Sequence, residues 1–131
     1  MKDERTLETP TWGCVKDSGE REQFDTGSRR DTRAGKGRFD LITPFMLLRL
    51  ARHYENGAVK YGDRNWEKGQ PSSRAMDSAM RHLNAFMINA MLGQEQDEDH
   101  LSAAIWNLAV IIHNEHCLPE MNDLKNLLDK S

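Results

Sequence analysis

The feature that most limits the fold is a run of apolar residues spaced three and four positions apart between residues 72 and 93. This spacing places the apolar side chains on one face of an α-helix, whereas in a strand alternate residues share a face. The run consists of Met76, Ala79, Met80, Leu83, Phe86, Met87 and Ala90. We therefore predict a helix that begins at Ser72 or Ser73 and ends at Gly93.

Two further segments have the same helical period. Thr43-Pro44 combines a capping residue with a proline at the first helical position, and predicts a helix that Gly57 interrupts. A third helix is predicted from Leu101 to about Leu118-Pro119, and a short fourth helix within 121–130. No segment has the pattern of paired strands. The predicted fold is an all-α bundle of three long helices plus a short C-terminal helix.

The first 35 residues differ from the rest of the chain. They are polar and have no apolar period, so we predict a poorly ordered or extended leader over 1–35 and a folded domain over 36–131. The leader ends in a basic run over residues 29–38. Because a domain of this size buries little apolar surface alone, we expect a homo-oligomer, a dimer or a tetramer.

Charge and composition exclude several classes of protein. A net charge of −3 and a pI near 5.9 argue against a protein that coats nucleic acid, but they do not exclude a local basic patch. There is no long apolar segment, so we expect neither a membrane span nor a signal peptide, and a cytoplasmic location. Cys14 and Cys117 are far apart and are predicted to be free thiols.

Several polar residues lie beside the apolar stripes and are candidate metal ligands and catalytic groups. On a helical wheel Glu55 falls at the margin of the first stripe, while Arg49 and His53 fall on the solvent side. His82 and Asp77 lie on opposite flanks of the second helix, roughly 140° apart, so both cannot face one cleft. The predicted catalytic residues are Glu55, His82, Asp97 and His100. The predicted metal ligands are Glu55, His82, Asp97, Glu98 and His100, with Asp77 as a weaker candidate.

A structural interpretation of the same residues stays open. His82 can bond a backbone carbonyl, and acidic residues at 97–99 are favoured at a helix start by the helix dipole. A second set combines cationic, aromatic and amide side chains that suit phosphate and a nucleobase, and its alternative is a polar loop with one Trp in the core. This set of predicted substrate-binding residues is Lys36, Arg38, Lys60, Tyr61, Arg64, Asn65, Trp66 and Asn107.

Four ordered motifs resemble one known family. They are 36–44 (KGRFDLITP), 57–66 (GAVKYGDRNW), 77–83 (DSAMRHL) and 97–107, from DEDHL to WN. They resemble the phage dATP/dGTP diphosphohydrolase family, called MazZ-like, which is related to the MazG-type all-α pyrophosphohydrolases. The resemblance implies Mg²⁺- or Mn²⁺-dependent cleavage between the α- and β-phosphates of a purine deoxynucleoside triphosphate by a helical oligomer. MazG-type enzymes carry Glu-rich pairs on two helices, whereas this chain has more histidine there.

Two other functions remain as alternatives. An HD-type metallo-phosphohydrolase requires His followed by Asp on a helix, and this chain has Asp99-His100 in the reverse order. A non-catalytic phage module that associates with DNA would use the basic run at 29–38. For the favoured function we expect a nucleoside triphosphate substrate, no membrane partner and no nucleic acid, in the host cytoplasm if the gene belongs to a phage.

Overall fold

The computed structural model describes residues 17–128 of the 131-residue chain. The chain divides into two compact units, Met1–Phe39 and Asp40–Ser131. The elements are β1 (Arg21–Gln23), β2 (Arg29–Asp31), α1 (Pro44–Tyr61), α2 (Ser72–Met91) and α3 (His100–Cys117), with 3₁₀ turns at Phe39–Leu41, Asn65–Lys68, Pro119–Met121 and Leu124–Asn126. The predicted all-α class is confirmed. No helix of the described part of the chain is long and apolar enough to cross a membrane.

The first unit contains a short antiparallel hairpin of β1 and β2, so the expectation of no paired strands is wrong here. Its turn is closed by hydrogen bonds between Phe24 and Ser28 and between Gly27 and Phe24. The strands are three residues long and polar, too short to show a period of two. The first 16 residues of the leader predicted over 1–35, and with them the predicted free thiol of Cys14, lie outside the described residues.

Two predicted substrate-binding cations, Lys36 and Arg38, belong to this first unit. The ammonium group of Lys36 lies 2.8 Å from the carboxylate of Asp31. Asp31 is also an acceptor for Ser18, and these contacts, with Lys36 first, hold the pKa of its carboxyl well below the ordinary value. Lys36 is thus part of a local ion pair on the hairpin.

Helix α1 begins as predicted, after Thr43 and at Pro44, but it continues through Gly57 to Tyr61. A single glycine costs a helix only about 1 kcal/mol relative to alanine, which good helix formers on both sides offset. The helix ends at Gly62, whose φ of 90° favours glycine and whose N–H bonds the carbonyl of Ala58 at 2.8 Å. The glycine that stops this helix is therefore Gly62 and not Gly57.

Helices α2 and α3 form the centre of the second unit, because small residues let their backbones approach closely. The buried apolar residues of the described chain are Ala75, Ala79, Ala103, Ala104 and Val110. The largest fully buried side chains are those of Val110, Asn114 and Ser72. The interior therefore contains no buried Leu, Ile or Phe among residues 17–128, and much of the apolar surface of the helices faces outward.

Polar contacts tie the start of α2, and the loop just before it, to the rest of the unit. The amide of Asn114 donates to the Gln70 carbonyl at 2.9 Å and to the Ser72 hydroxyl at 3.0 Å. The carboxylate of Asp123 accepts hydrogen bonds from the backbone N–H and hydroxyl of Ser73. The tail that was predicted to add a short helix forms single 3₁₀ turns as far as residue 128. Cys117 is a free, exposed thiol, as predicted.

Candidate active site

Two histidines and one glutamate converge where α2 meets the loop that leads into α3. The Nδ1 atoms of His82 and His100 are 3.0 Å apart. Oε1 of Glu98 lies 3.3 Å from Nδ1 of His82 and 3.4 Å from Nδ1 of His100. Within residues 17–128 this is the one group of three His, Cys, Asp or Glu side chains whose ligand atoms all lie within 4.8 Å of one another. We call it the His82–Glu98–His100 cluster.

Asp97 determines which ring nitrogen of His100 faces the cluster. Its Oδ1 lies 2.8 Å from Nε2 of His100, and a carboxylate can only accept, so Nε2 carries the proton. In a neutral imidazole, Nδ1 then has a free lone pair directed at His82 and Glu98. The same hydrogen bond lowers the pKa of the Asp97 carboxyl. His100, which is buried, is thereby oriented with Nδ1 available to a ligand.

Asp99 anchors the loop that carries these acids. It is the N-cap of α3 and accepts from the N–H of Ser102 at 3.2 Å and from its hydroxyl at 2.8 Å. Arg49 of α1 donates to both carboxylate oxygens, at 2.9 and 2.5 Å, and holds the pKa of Asp99 well below its ordinary value. Because both oxygens are engaged, the reversed Asp99-His100 pair does not supply an HD-type ligand set.

Helix α1 brings His53 toward the cluster, whereas the helical wheel placed this residue on the solvent side. His53 is half-buried, and its ring centroid is 5.8 Å from that of Trp106. Burial lowers the pKa of His53, and the proximity of His82 lowers it further, so the ring is neutral at pH 7. Glu55, predicted at the margin of the apolar stripe, is exposed and is not one of the three residues of the cluster. Its catalytic role stays a prediction.

An aromatic pocket of about 630 Å³ opens beside His53. Its walls come from α1, from the segment that follows it, and from Trp106 of α3. The Tyr54 ring meets Trp66 and Trp106 edge to face, with centroid distances of 6.0 and 6.4 Å, and Trp66 lies 4.8 Å from the ring of His113. The volume is that of a small-molecule site. Tyr54, Trp106 and His53 were not among the predicted site residues.

Four predicted substrate-binding residues line this pocket: Tyr61, Arg64, Asn65 and Trp66. Arg64 has a φ of 58°, a left-handed conformation that non-glycine residues rarely adopt and that often marks a functional position. Its guanidinium pairs with Glu67 at 2.6 Å. Lys60 is exposed at the end of α1, with Nζ 5.6 Å from the centroid of the Tyr61 ring, and is not a wall residue of the pocket.

Two other predicted site residues form polar contacts within their own helices. Asp77 is exposed and pairs with Arg81 at 3.2 Å, on the same helix as His82 but outside the cluster. Asn107 is buried, and its amide donates to the carbonyl of Ala103, one turn earlier, at 2.8 Å. These contacts account for both residues structurally.

The cluster has the donor types and spacing of a site for a divalent metal ion. Donors that share one ion at about 2.1 Å stand about 3.0 Å apart in octahedral geometry and about 3.4 Å apart in tetrahedral geometry. The separations of 3.0, 3.3 and 3.4 Å fall in this range. Burial also lowers the pKa of His82, which favours the neutral imidazole that binds metal. His82, Glu98 and His100 therefore fit the metal that the resemblance implies.

Comparison with known proteins gives one match. No curated protein and no solved structure matches the chain. A family model described as "dATP/dGTP diphosphohydrolase, N-terminal" matches residues 26–124, which include the whole cluster and every wall residue of the pocket. The resemblance seen in the four sequence motifs is thereby confirmed, and the chain belongs to the dATP/dGTP diphosphohydrolase N-terminal family.

Proposed function

We propose that the chain is a metal-dependent nucleoside triphosphate pyrophosphohydrolase. Its substrate is a purine deoxynucleoside triphosphate, dGTP or dATP, and its products are the monophosphate and pyrophosphate. The observation that carries the proposal is that one folded unit contains both the His82–Glu98–His100 cluster, whose ligand atoms lie within 4.8 Å of one another, and the aromatic pocket lined by His53. A base-sized pocket beside a metal-binding cluster suits a nucleotide whose phosphates meet a metal.

In this proposal the pocket holds the base. Trp66 and Tyr61 offer aromatic faces for stacking, and Asn65 offers an amide for the purine edge. The guanidinium of Arg64 is the phosphate-binding group on the wall, and Lys60 stands at the end of α1 as a second cation. Lys36 and Arg38 stay predicted phosphate contacts.

The proposed metal is Mg²⁺ or Mn²⁺, held by His82, Glu98 and His100. A metal bound there supplies positive charge for the phosphates and acidifies a bound water. Asp97 keeps the proton of His100 on Nε2, so the lone pair of Nδ1 stays free to bind the metal. His53, neutral and half-buried, is the group we assign to accept a proton on the pocket side. In a phage such an enzyme would adjust the host's purine deoxynucleotide pool.

Product analysis tests the proposal. The full chain is incubated with each of the eight common ribo- and deoxynucleoside triphosphates and a divalent metal, and the products are separated by ion-exchange chromatography. We expect a monophosphate and pyrophosphate in equal amounts, with dGTP or dATP turned over fastest. Release of orthophosphate would contradict the cleavage position. An absence of turnover, with DNA affinity that falls steeply with salt, would instead support the DNA-associated alternative.

We further propose that the active form is a homo-oligomer, a dimer or a tetramer. Helix α3 is apolar on two opposite faces, and one of them leaves Leu108 and Ile112 exposed, the latter by 56%. Helix α2 likewise exposes Leu83 and Met87. A helix that is apolar on both faces is stable when both are covered. Because the interior of this unit is built from small side chains, a second copy of the chain is the partner that would complete its core.

Light scattering after gel filtration tests this assembly. We expect the full chain to elute at twice or four times the 15.1 kDa of one chain. The double substitution Leu108→Glu and Ile112→Glu should shift it to the mass of one chain, because two charges on the apolar face oppose burial. Lys125→Glu, on an exposed position outside the three helices, is the control for added negative charge alone. A monomeric unsubstituted chain would contradict the proposal.

A further inference from the structure

The ligand atoms of the His82–Glu98–His100 cluster indicate which metal ion it binds most tightly. Two of the three are imidazole nitrogens, and only one is a carboxylate oxygen. Mg²⁺ prefers oxygen ligands and keeps several of its waters, whereas imidazole suits first-row transition ions. A magnesium site of the carboxylate type would need further acidic ligands at these positions.

The neighbouring acids do not convert the cluster into an all-oxygen site. Asp97 is engaged with the outer nitrogen of His100, and Asp99 accepts from Arg49 and Ser102. The carboxylate of Glu98 thus supplies the one oxygen ligand of the cluster, while Asp97 accepts a hydrogen bond from the far side of the His100 ring. Such a carboxylate behind a ligating histidine fixes the ring and raises its basicity, which strengthens binding to a transition ion.

We propose that the cluster is a two-histidine, one-carboxylate site that selects a first-row transition ion, such as Mn²⁺, Co²⁺ or Zn²⁺, over Mg²⁺. The proposal rests on the function proposed above, in which the metal takes part in hydrolysis, and it specifies which metal ion is bound. His82 and His100 contribute Nδ1, Glu98 contributes Oε1, and Asp97 orients His100. Three protein ligands would leave further coordination positions of the ion for water and phosphate oxygens.

Cobalt provides a readout that needs no substrate. The full chain, freed of metal with a chelator and dialysed, is titrated with CoCl₂ while the visible d–d absorption is followed, first alone and then with Mg²⁺ present. We expect saturation at one Co²⁺ per cluster and an apparent Kd for Mg²⁺ at least about 100-fold weaker than that for Co²⁺. Displacement of Co²⁺ by an equal concentration of Mg²⁺ would overturn the proposal, as would the absence of a cobalt spectrum.

Substitutions in and near the cluster test whether the cobalt absorption comes from Co²⁺ bound there. Glu98→Gln removes the ligand charge at an exposed side chain, so the fold should persist, and it should weaken Co²⁺ binding by about 10- to 100-fold. Asp97→Asn should have a smaller effect in the same direction. Glu95→Gln, an exposed acid in the same loop, is the matched control and should bind Co²⁺ as the unsubstituted chain does. Equal binding by the Glu98 and Glu95 variants would overturn the assignment.

The outcome is separable from that of the proposed function. A chain that binds Co²⁺ through Glu98 and hydrolyses no triphosphate would support the metal site and contradict the pyrophosphohydrolase. A chain that hydrolyses dGTP with Mg²⁺ and gives no cobalt spectrum would support the enzyme and overturn the metal selectivity.

Discussion

Replacement of His82 by alanine is expected to lower kcat/KM for dGTP or dATP by about 100- to 1000-fold, the cost typical of losing one group that stabilises charge in the transition state. His82 supplies one of two imidazole nitrogens to the cluster, and its Nδ1 is 3.0 Å from that of His100. Because α2 is held mainly by Ala75 and Ala79, the helix should survive the loss of this ring. Steady-state kinetics and circular dichroism measure the two effects separately.

His116→Ala is the matched control, since His116 is an exposed imidazole at the end of α3. We expect this variant to retain the turnover and metal dependence of the unsubstituted chain. Turnover by the His82 variant within about twofold of that control would show that the cluster is not the reaction centre. If the His82 variant loses helical signal, the same kinetics are measured on Glu98→Gln, which should fold because the Glu98 side chain is exposed.

The helices could be predicted from sequence because their signals are local. Thr43 before Pro44 and the apolar period after Ser72 give the starts of α1 and α2 within one residue. Gly57 was misleading because a glycine stops a helix reliably only where the backbone turns left-handed, as it does at Gly62. The hairpin was missed because its pairing depends on register between short polar strands.

Half of the candidate site could also be predicted. Asp97, Glu98 and His100 lie within four residues of one another, so their proximity follows from chain connectivity alone. His82 lies nine residues before the end of α2, and only its place on a flank of that helix could be predicted. The position of His53 could not be predicted, because no residue of α1 is buried and its apolar residues Phe45, Leu47 and Leu48 are exposed, so the apolar positions do not indicate which face packs against α3. The same is true of the pairing of Tyr54 with Trp106, which depends on how α1 packs against α3 and has no local signal in the sequence.

Gly57 offers the sharpest test of the pocket. Replacement of Gly57 by phenylalanine is expected to lower kcat/KM for the best triphosphate by about 100-fold, with the loss mainly in KM, because the ring competes with the base for the pocket. Gly57 lies within α1 and lines the pocket, and a Cβ there meets no atom within 4 Å. The substitution therefore fills space without a steric clash at the backbone.

Gly57→Ala is the matched control, since it adds a Cβ but leaves most of the pocket open. We expect it to raise the free energy of unfolding by about 0.5–1 kcal/mol, because alanine in a helix interior loses less backbone entropy than glycine. Its kcat/KM should stay within about threefold of the unsubstituted chain. Denaturant unfolding and kinetics on both variants then separate stability from binding. A phenylalanine variant with unchanged KM would mean that the base binds elsewhere, and the aromatic walls would then serve only to join α1 to α3.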